Sequence, residues 1–475
     1  MRNPRGLYEK FLERNPAYDG KFLTGVLTTG IYCLPSCPAR RPRPENVRFF
    51  DTPEEARTSG LRPCHRCRPD WFYRGEEWYE NLYEQTTDRI RSSPSAFTNI
   101  GDIARAAGVS RTALNDLFRR HAQESPAAFL RRIRVEHACN LLAAGSKPAE
   151  ASAEAGFESS SSLHEHFLAR TGLTPGHYAA LKDSDEFVLR LPAHYRPQET
   201  LAFYGRDPES VSERVSVTGL EKAILIDGSA ATIQMAIQVM PFGENAVCRT
   251  DSSDHFAAHE AVVRMLGLGS DSAAFERHFG SDSLLGPCIV RQRGLRIPMT
   301  PEPWEALAWA IMGQQISVRA AVSLRRALIA GYGVEHASGL RAHPSASTIA
   351  ALDITDLRAL GFSGSKAEYL IAAATAVSNG TLPLASLRNL SARHAARLLR
   401  EVRGIGPWTV EYVFLRGIGF ADCLPSGDAG LAQGLEKMHG ERPAEPAVRA
   451  LLEHFSPWRS LATYHVWASL KTEGE

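Results

Sequence analysis

Four cysteines near the start of the chain constrain its fold more than any other feature. They form two pairs, Cys33 with Cys37 and Cys64 with Cys67, separated by 26 residues. Each pair can supply two thiolates to one metal ion, and two such pairs make a closed tetrahedral zinc site. Disulfides are not expected, because the N-terminus lacks the apolar segment of a secretory signal. The sequence therefore predicts one bound Zn²⁺ with these four cysteines as ligands.

Length and charge indicate several modules. The chain has 475 residues, more than an ordinary domain contains, and a net charge of +1. Taken alone, a net charge this close to zero argues against nucleic-acid binding. However, it is the sum over segments whose charges differ. Residues 1–75 hold 14 basic and 8 acidic residues and 86–182 hold 12 and 9, whereas 183–293 hold 10 and 16. The first two segments are basic enough to face phosphate, although a solvated surface is an equal alternative for the second.

The hydrophobic pattern predicts a multidomain protein that is mainly α with α+β parts. Helical spacing dominates 78–182 and returns after residue 254, while 186–250 contains strand-like pieces. No apolar run reaches the ~20 residues of a membrane helix, so we expect a cytoplasmic protein without a membrane segment. The predicted domains are a small zinc-bound α+β domain (1–77), an all-α double helix-turn-helix domain (84–182), an α+β platform on an antiparallel sheet (185–296) and an all-α helix-hairpin-helix domain (297–475).

The residues around the cysteines are more specific than their spacing. Residues 28–37 read TTGIYCLPSC and residues 62–67 read RPCHRC. Over residues 4–71 the chain resembles the N-terminal domain of the Ada adaptive-response family. The resemblance implies that Cys33 is both a zinc ligand and the acceptor of a methyl group from a DNA methylphosphotriester, and that the zinc keeps its thiolates reactive. Arg40, Arg41 and Arg43 are expected at the DNA backbone; a purely structural zinc is the alternative.

Residues 100–120 have the pattern of a helix-turn-helix. Gly108 supplies the turn and Ser110 caps the second helix. That helix would present Arg111, Thr112 and Asn115 to a major groove. A second unit follows over 148–170, and the pair resembles the DNA-binding domain of AraC-family regulators, which implies transcription regulation and contact with RNA polymerase. A helical bundle without a DNA role is the alternative.

The C-terminal part contains a helix-hairpin-helix pattern centred on Gly404 and Gly406. Glycines let a hairpin backbone approach a phosphate, and the helix that follows offers free N–H groups. Asp428 lies 22 residues after Gly406, in the sequence LPSGDAGL. The combination resembles the AlkA-type 3-methyladenine DNA glycosylases over about residues 185–470. A lone aspartate in a loop is otherwise usually a helix cap.

The resemblance implies a catalytic role for Asp428. Its carboxylate would stabilise the positive charge that develops on the sugar as the bond to a flipped-out base breaks. Trp408, Tyr412 and Trp467 are expected to form an aromatic wall for an electron-poor base, with the hydrophobic core as the alternative for Tyr412. Gln315 is expected to fill the vacated base stack. Bifunctional relatives carry a lysine where Trp408 stands, and no C-terminal four-cysteine cluster follows, so neither a lyase step nor an iron–sulfur centre is expected.

These features predict a monomeric alkylation-response protein that binds double-stranded DNA. It would accept a methyl group on Cys33, regulate repair genes and excise alkylated bases of the 3-methyladenine type by monofunctional hydrolysis. One alternative is a transcription regulator with an inactive glycosylase half. Another is a repair enzyme whose N-terminal half only tethers it to DNA.

Overall fold

The computed structural model describes residues 4–74, 78–240 and 243–470. The chain forms two compact units, Met1–Gln85 and Thr86–Glu475. Helices predominate and the sheets are small, which confirms the predicted multidomain, mainly α fold with α+β parts. The bounds of the four domains inferred from the sequence remain predictions.

A four-stranded sheet organises the first unit. The strands are β1 (Leu23–Val26), β2 (Ile31–Cys33), β3 (Val47–Phe50) and β4 (Arg62–Pro63), and the helices are α1 (Pro4–Leu12), α2 (Pro53–Thr58), α3 (Pro69–Tyr73) and α4 (Trp78–Ser92), which continues into the second unit. The strand order is β3-β1-β2-β4, with β2 and β4 parallel. The buried core around Leu23, Tyr32 and Leu61 is small. A metal that cross-links the chain would add stability to a unit with so small an apolar core.

Helices α5 to α10 form the start of the second unit. They are α5 (Ile100–Ala107), α6 (Arg111–His121), α7 (Pro126–Ala143), α8 (Pro148–Glu154), α9 (Ser160–Thr171) and α10 (Pro175–Ala179). Gly108 ends α5 in the left-handed conformation with φ 66°, and the Ser110 hydroxyl accepts a hydrogen bond from Ala113 N at the start of α6. The turn and the cap are thus where the sequence predicts them.

A five-stranded antiparallel sheet follows. Its strands are β5 (Glu186–Arg190), β6 (Glu213–Val215), β7 (Gly219–Ile226), β8 (Ser229–Met240) and β9 (Gly243–Thr250), in the order β5-β9-β8-β7-β6. Helices α11 (Pro197–Tyr204), α12 (His255–Met265), α13 (Ser272–Phe279) and α14 (Gly286–Arg291) accompany it. We call residues 185–296 the platform.

The rest of the second unit is helical apart from a two-stranded sheet, β10 (Val334–Glu335) and β11 (Arg341–Ala342). Its helices are α15 (Pro303–Gly313), α16 (Val318–Tyr332), α17 (Ala346–Ala350), α18 (Ile354–Ala359), α19 (Gly364–Ser378), α20 (Ala392–Glu401), α21 (Pro407–Val413), α22 (Ala429–His439), α23 (Glu445–Leu452) and α24 (Arg459–Ala468). A π-helical turn, Phe414–Ile418, extends α21. One large apolar core joins these elements, and α15, buried on nearly all sides, lies in it.

The helix-turn-helix part and the platform share one hydrophobic core. It runs from α7 through α10 into the platform strands and α12. At the junction the ring of Tyr178 lies 5.2 Å from the rings of Phe256 and His259, and His259 Nε2 is 2.8 Å from the Thr171 carbonyl oxygen. Contacts inside the second unit therefore run without interruption across the predicted boundary at residues 182–185.

A buried ion network joins the platform to the helical domain. Lys222 Nζ of β7 lies 3.3 Å from Glu213 Oε2 and 3.4 Å from Glu305 Oε2 of α15. Arg325 of α16 makes two bonds to the Glu213 carboxylate, of 2.7 and 3.0 Å. Removing one member of such a network leaves a buried charge without its partner, which is costly. The network therefore fixes the position of the platform sheet against helices α15 and α16.

Within the described residues, no helix combines the length and apolar character needed to cross a membrane.

Candidate functional site

The four cysteines meet because two short strands are parallel. Cys33 ends β2 and Cys37 lies in the loop that follows, while Cys64 and Cys67 follow β4. The β2–β4 pairing and a 2.9 Å bond from Cys64 N to the Tyr32 carbonyl oxygen bring the second pair beside the first. All four Sγ atoms lie within 4.8 Å of one another.

This donor set fits zinc. Four thiols in one cluster, three of them buried, match the ligands of a closed structural zinc site. Two backbone amides point at the sulfurs: Leu34 N lies 3.3 Å from Cys67 Sγ, and Arg66 N lies 3.4 Å from Cys64 Sγ. Such N–H···S contacts stabilise negative charge on thiolates. The side chain of Cys33 is 6% exposed.

The arginines expected at the DNA backbone differ in their surroundings. Arg40 and Arg43 are exposed. Arg41 is packed: its guanidinium lies 3.8 Å from the centroid of the Phe11 ring, and its Nη2 donates to the Pro35 carbonyl oxygen at 2.9 Å. Arg41 therefore braces the loop between Cys33 and Cys37, and Arg40 and Arg43 are the freer cations of the three.

Helix α6 presents the predicted groove-facing residues to solvent. Arg111, Thr112 and Asn115 are exposed, whereas Leu114 and Phe118 of the same helix are fully buried. The helix therefore has one face free for a partner. In α9 the buried residues are Leu163, Phe167 and Thr171.

The helix-hairpin-helix is built from α20, the Gly404–Gly406 turn and α21. Gly404 has φ 88°, and a Cβ there would lie 2.2 Å from the Tyr369 ring, so this position requires glycine. Around Gly406, by contrast, the space is open. The N-terminus of α21 beside Gly406 can thus be approached closely by a phosphate.

Two residues that the sequence argument missed hold the hairpin in place. Gln314 Nε2 donates to the Gly404 carbonyl oxygen at 2.9 Å and to Thr409 Oγ1 at 3.0 Å. Lys366 Nζ caps the end of α15 by donating to the carbonyl oxygens of Met312 and Gln314 at 2.9 and 2.5 Å. The only available signal was that Gln314 precedes Gln315 in the Gly-Gln-Gln motif.

Gln315 itself is exposed just beyond α15. Its backbone φ is 56°, a left-handed conformation unusual for a residue with a side chain. Beside it Ile316 and Val318 are 36% and 66% exposed. Gln315 therefore projects from a strained turn with apolar neighbours, as a residue that enters a base stack would.

The Asp428 carboxylate is the focus of the site. It caps α22 by accepting a hydrogen bond from Leu431 N at 2.7 Å. Trp467 Nε1 of α24 donates to Oδ1 at 2.9 Å, and Trp408 Nε1 of α21 donates to Oδ2 at 3.0 Å. The side chain is half-buried. Three donors from three helices therefore fix the position of this carboxylate.

The three predicted aromatic residues do come together. The rings of Trp408 and Tyr412 stack 5.3 Å apart at 30°, and those of Tyr412 and Trp467 lie 6.4 Å apart at 44°. Trp408 and Trp467 are half-buried, whereas Tyr412 is 9% exposed. Tyr412 is therefore a core residue, as the alternative expectation has it, and it also stacks on Trp408 as a member of the aromatic cluster.

The loop that carries Asp428 is anchored where it begins, at Asp422 and Leu424. Glu411 accepts a hydrogen bond from Leu424 N at 2.9 Å, and burial raises the pKa of this carboxyl. Arg459 makes two 2.8 Å bonds to the Asp422 carboxylate. Asp422 N also donates to Oε1 of Gln123, between α6 and α7, at 2.8 Å. The helix-turn-helix part thus touches the loop that positions Asp428.

Three family models match the chain, in the order in which the sequence argument places them. They are the metal binding domain of Ada over residues 6–70, a helix-turn-helix domain over 103–180, and the HhH-GPD superfamily of base excision DNA repair proteins over 308–458.

Individual proteins are similar to all or part of the chain. The probable bifunctional transcriptional activator/DNA repair enzyme AlkA of Mycobacterium tuberculosis is 28% identical over 497 positions, which cover 98% of this chain and 96% of the relative. A DNA-3-methyladenine glycosylase of Bacillus subtilis is 25% identical and covers 60% of this chain and 98% of the relative. A solved 3-methyladenine DNA glycosylase from Archaeoglobus fulgidus has a TM-score of 0.53 at 22% identity, over 59% of this chain and 97% of that one, and so shares the fold.

Replacing a cysteine of the cluster tests the metal site. We expect purified wild type to contain one zinc per chain and Cys64→Ser to lose it. The first unit should then melt at a lower temperature, because its small apolar core needs the metal cross-link. Cys139→Ser, in α7, is the matched control and should keep both zinc and melting temperature. Full zinc occupancy in Cys64→Ser would contradict the site.

Proposed function

Because the chain combines an Ada-type metal-binding domain, a helix-turn-helix domain and an HhH-GPD domain, all of them DNA-binding or DNA-repair types, we propose that it senses and repairs DNA alkylation. It accepts a methyl group from a methylphosphotriester on Cys33, regulates repair genes and excises alkylated bases such as 3-methyladenine. One observation carries the excision activity: two indole N–H groups and a helix N-terminus hold the Asp428 carboxylate beside the hairpin.

The placement of Asp428 supports the proposed excision. Breaking an N-glycosidic bond leaves positive charge on the sugar, and a carboxylate already fixed in position stabilises that charge without having to reorganise. Trp408 and Trp467 orient the carboxylate through their N–H groups and offer their ring faces to an electron-poor base. The carboxylate then orients the water that attacks the sugar. Gln315 fills the space left in the duplex.

The reaction ends at base release. A lyase step needs a free amine to form a Schiff base with the sugar. Trp408 follows the hairpin where bifunctional relatives carry that lysine, and Lys366, which lies behind the hairpin, is held by the carbonyl oxygens at the end of α15. We therefore propose a monofunctional glycosylase of the 3-methyladenine type, which uses no iron–sulfur cluster.

Methyl transfer is assigned to Cys33. The Cys33 sulfur attacks the methyl carbon of the phosphotriester, the carbon–oxygen bond breaks, and the phosphodiester leaves as an anion while a thioether forms. Zinc, when bound by Cys33, Cys37, Cys64 and Cys67, would keep the thiolates deprotonated at neutral pH. The thioether carries one negative charge less than the thiolate, so the methylated unit should bind DNA more tightly.

The methylated protein would then act as an activator. The exposed face of α6, with Arg111, Thr112 and Asn115, is the proposed major-groove surface. We further propose that the protein works as a monomer, contacts RNA polymerase at the promoter and resides in the cytoplasm with its chromosomal substrate.

Asp428→Asn tests the excision activity. The amide keeps the size of the side chain but not its charge, so we expect single-turnover release of 3-methyladenine from methylated DNA to fall at least about 100-fold. Glu441→Gln is the matched control, because it removes one negative charge at an exposed residue just after α22 and leaves the loop of Asp428 untouched. Wild type that releases no base would favour a regulator with an inactive glycosylase half. An undiminished rate in Asp428→Asn would refute the role of Asp428.

Cys33→Ala tests the methyl switch. The variant should transfer no methyl group from methylphosphotriester DNA, and promoter activation after alkylation should be lost, because no thioether can form. Cys248→Ala, a buried cysteine of β9, is the control. Zinc content and the melting temperature of both variants establish that the first unit is intact. Unchanged activation in a zinc-loaded Cys33→Ala would favour a tethering role for the N-terminal half.

A further inference from the structure

A platform arginine reaches the aromatic residues of the helical domain. Arg206 follows α11, more than 200 positions before Asp428 in the sequence. Its guanidinium carbon lies 3.8 Å from the centroid of the Trp309 ring of α15 and 4.6 Å from that of Phe203. Trp309 is 7% exposed. Contact with two rings fixes the plane of the guanidinium, so Arg206 is a preorganised cation.

The contacts of Phe203 extend from Arg206 toward the proposed excision site. The Phe203 ring also contacts Arg416, 4.5 Å from the ring centroid, and Arg416 lies 5.5 Å from the centroid of the Trp467 ring. Burial lowers the pKa of Arg206. Phe203 and Arg416 therefore connect Arg206 to Trp467.

Arg206 and Arg416 differ in what their N–H groups do. Arg416 Nη1 donates to the Pro298 carbonyl oxygen at 2.7 Å, and its side chain is buried. The Arg206 side chain is only half-buried, and within the described part of the chain its guanidinium has no hydrogen bond or ion pair. Arg416 is thus structural, while the five donors of Arg206 are free for a ligand.

A free guanidinium changes which bases suit an aromatic site. Stacked rings alone favour a cationic base such as 3-methyladenine. A fixed cation near them repels a second cation and offers donors to carbonyl or ring-nitrogen acceptors on the edge of a neutral base. We propose that Arg206 is a specificity-determining residue that donates hydrogen bonds to the acceptor edge of neutral flipped bases and disfavours cationic ones. This proposal rests on the glycosylase activity proposed above.

The test compares one base of each charge in the full-length zinc-loaded protein. Single-turnover release is measured for hypoxanthine, a neutral base with a carbonyl acceptor, and for cationic 7-methylguanine. In Arg206→Met the ratio of hypoxanthine to 7-methylguanine release should fall by about 10-fold to 100-fold, because the donors and the charge are both lost. Arg190→Met, at an exposed arginine of β5, should leave the ratio unchanged.

A second variant separates specificity from packing. Arg206→Lys keeps the charge but not the planar fork, so it should retain weak release of 7-methylguanine while hypoxanthine release falls. Equal losses for both bases in Arg206→Met and Arg206→Lys, or an unchanged ratio in both, would overturn the assignment of Arg206. Wild type that releases neither base would instead overturn the glycosylase proposal, and the role of Arg206 with it.

Discussion

The hydrogen bonds from two indoles to one carboxylate are the constraint on which the proposed excision site depends. Trp408 lies on α21, Trp467 on α24, and Asp428 begins α22. Bonds of 2.9 and 3.0 Å therefore require these three helices to meet at one place. Three neighbouring elements accompany this meeting of helices: the hairpin, the π-helical turn after α21 and the anchored loop before Asp428. The large core of the helical domain makes it rigid.

Contacts from outside the helical domain also hold its residues in fixed positions. The network of Lys222, Glu213, Arg325 and Glu305 holds the platform against α15 and α16, and Arg206 reaches Trp309 only because of that placement. On the other side, the helix-turn-helix part shares its core with the platform and touches the Asp428 loop through Gln123. Within the second unit, the helix-turn-helix part and the proposed excision site are therefore supported by shared contacts.

How much of a site can be predicted from the sequence depends on whether its residues lie close together along the chain. The cysteine pairs could be predicted because close spacing forces each pair together, and the parallel β2–β4 pairing does the rest. The hairpin and the loop of Asp428 carry their own glycine and proline signals.

Trp408 and Trp467 were predicted as ring faces, but their donation to Asp428 was missed, because no spacing shows which way an indole N–H points. Gln314 and Lys366 were missed because they act on backbone carbonyl oxygens. Arg206 lies in a segment whose charge pattern is acidic and gives no hint of a pocket.

The most direct measurement is the excision rate when both indole N–H groups are removed. In Trp408→Phe/Trp467→Phe, the rings remain but the donors to Asp428 are lost. If the two indoles hold the carboxylate for catalysis, single-turnover release of 3-methyladenine at saturating protein falls by about 100-fold or more, while affinity for DNA containing an abasic site, which depends on the hairpin, changes little. An unchanged release rate in the double variant would contradict the account.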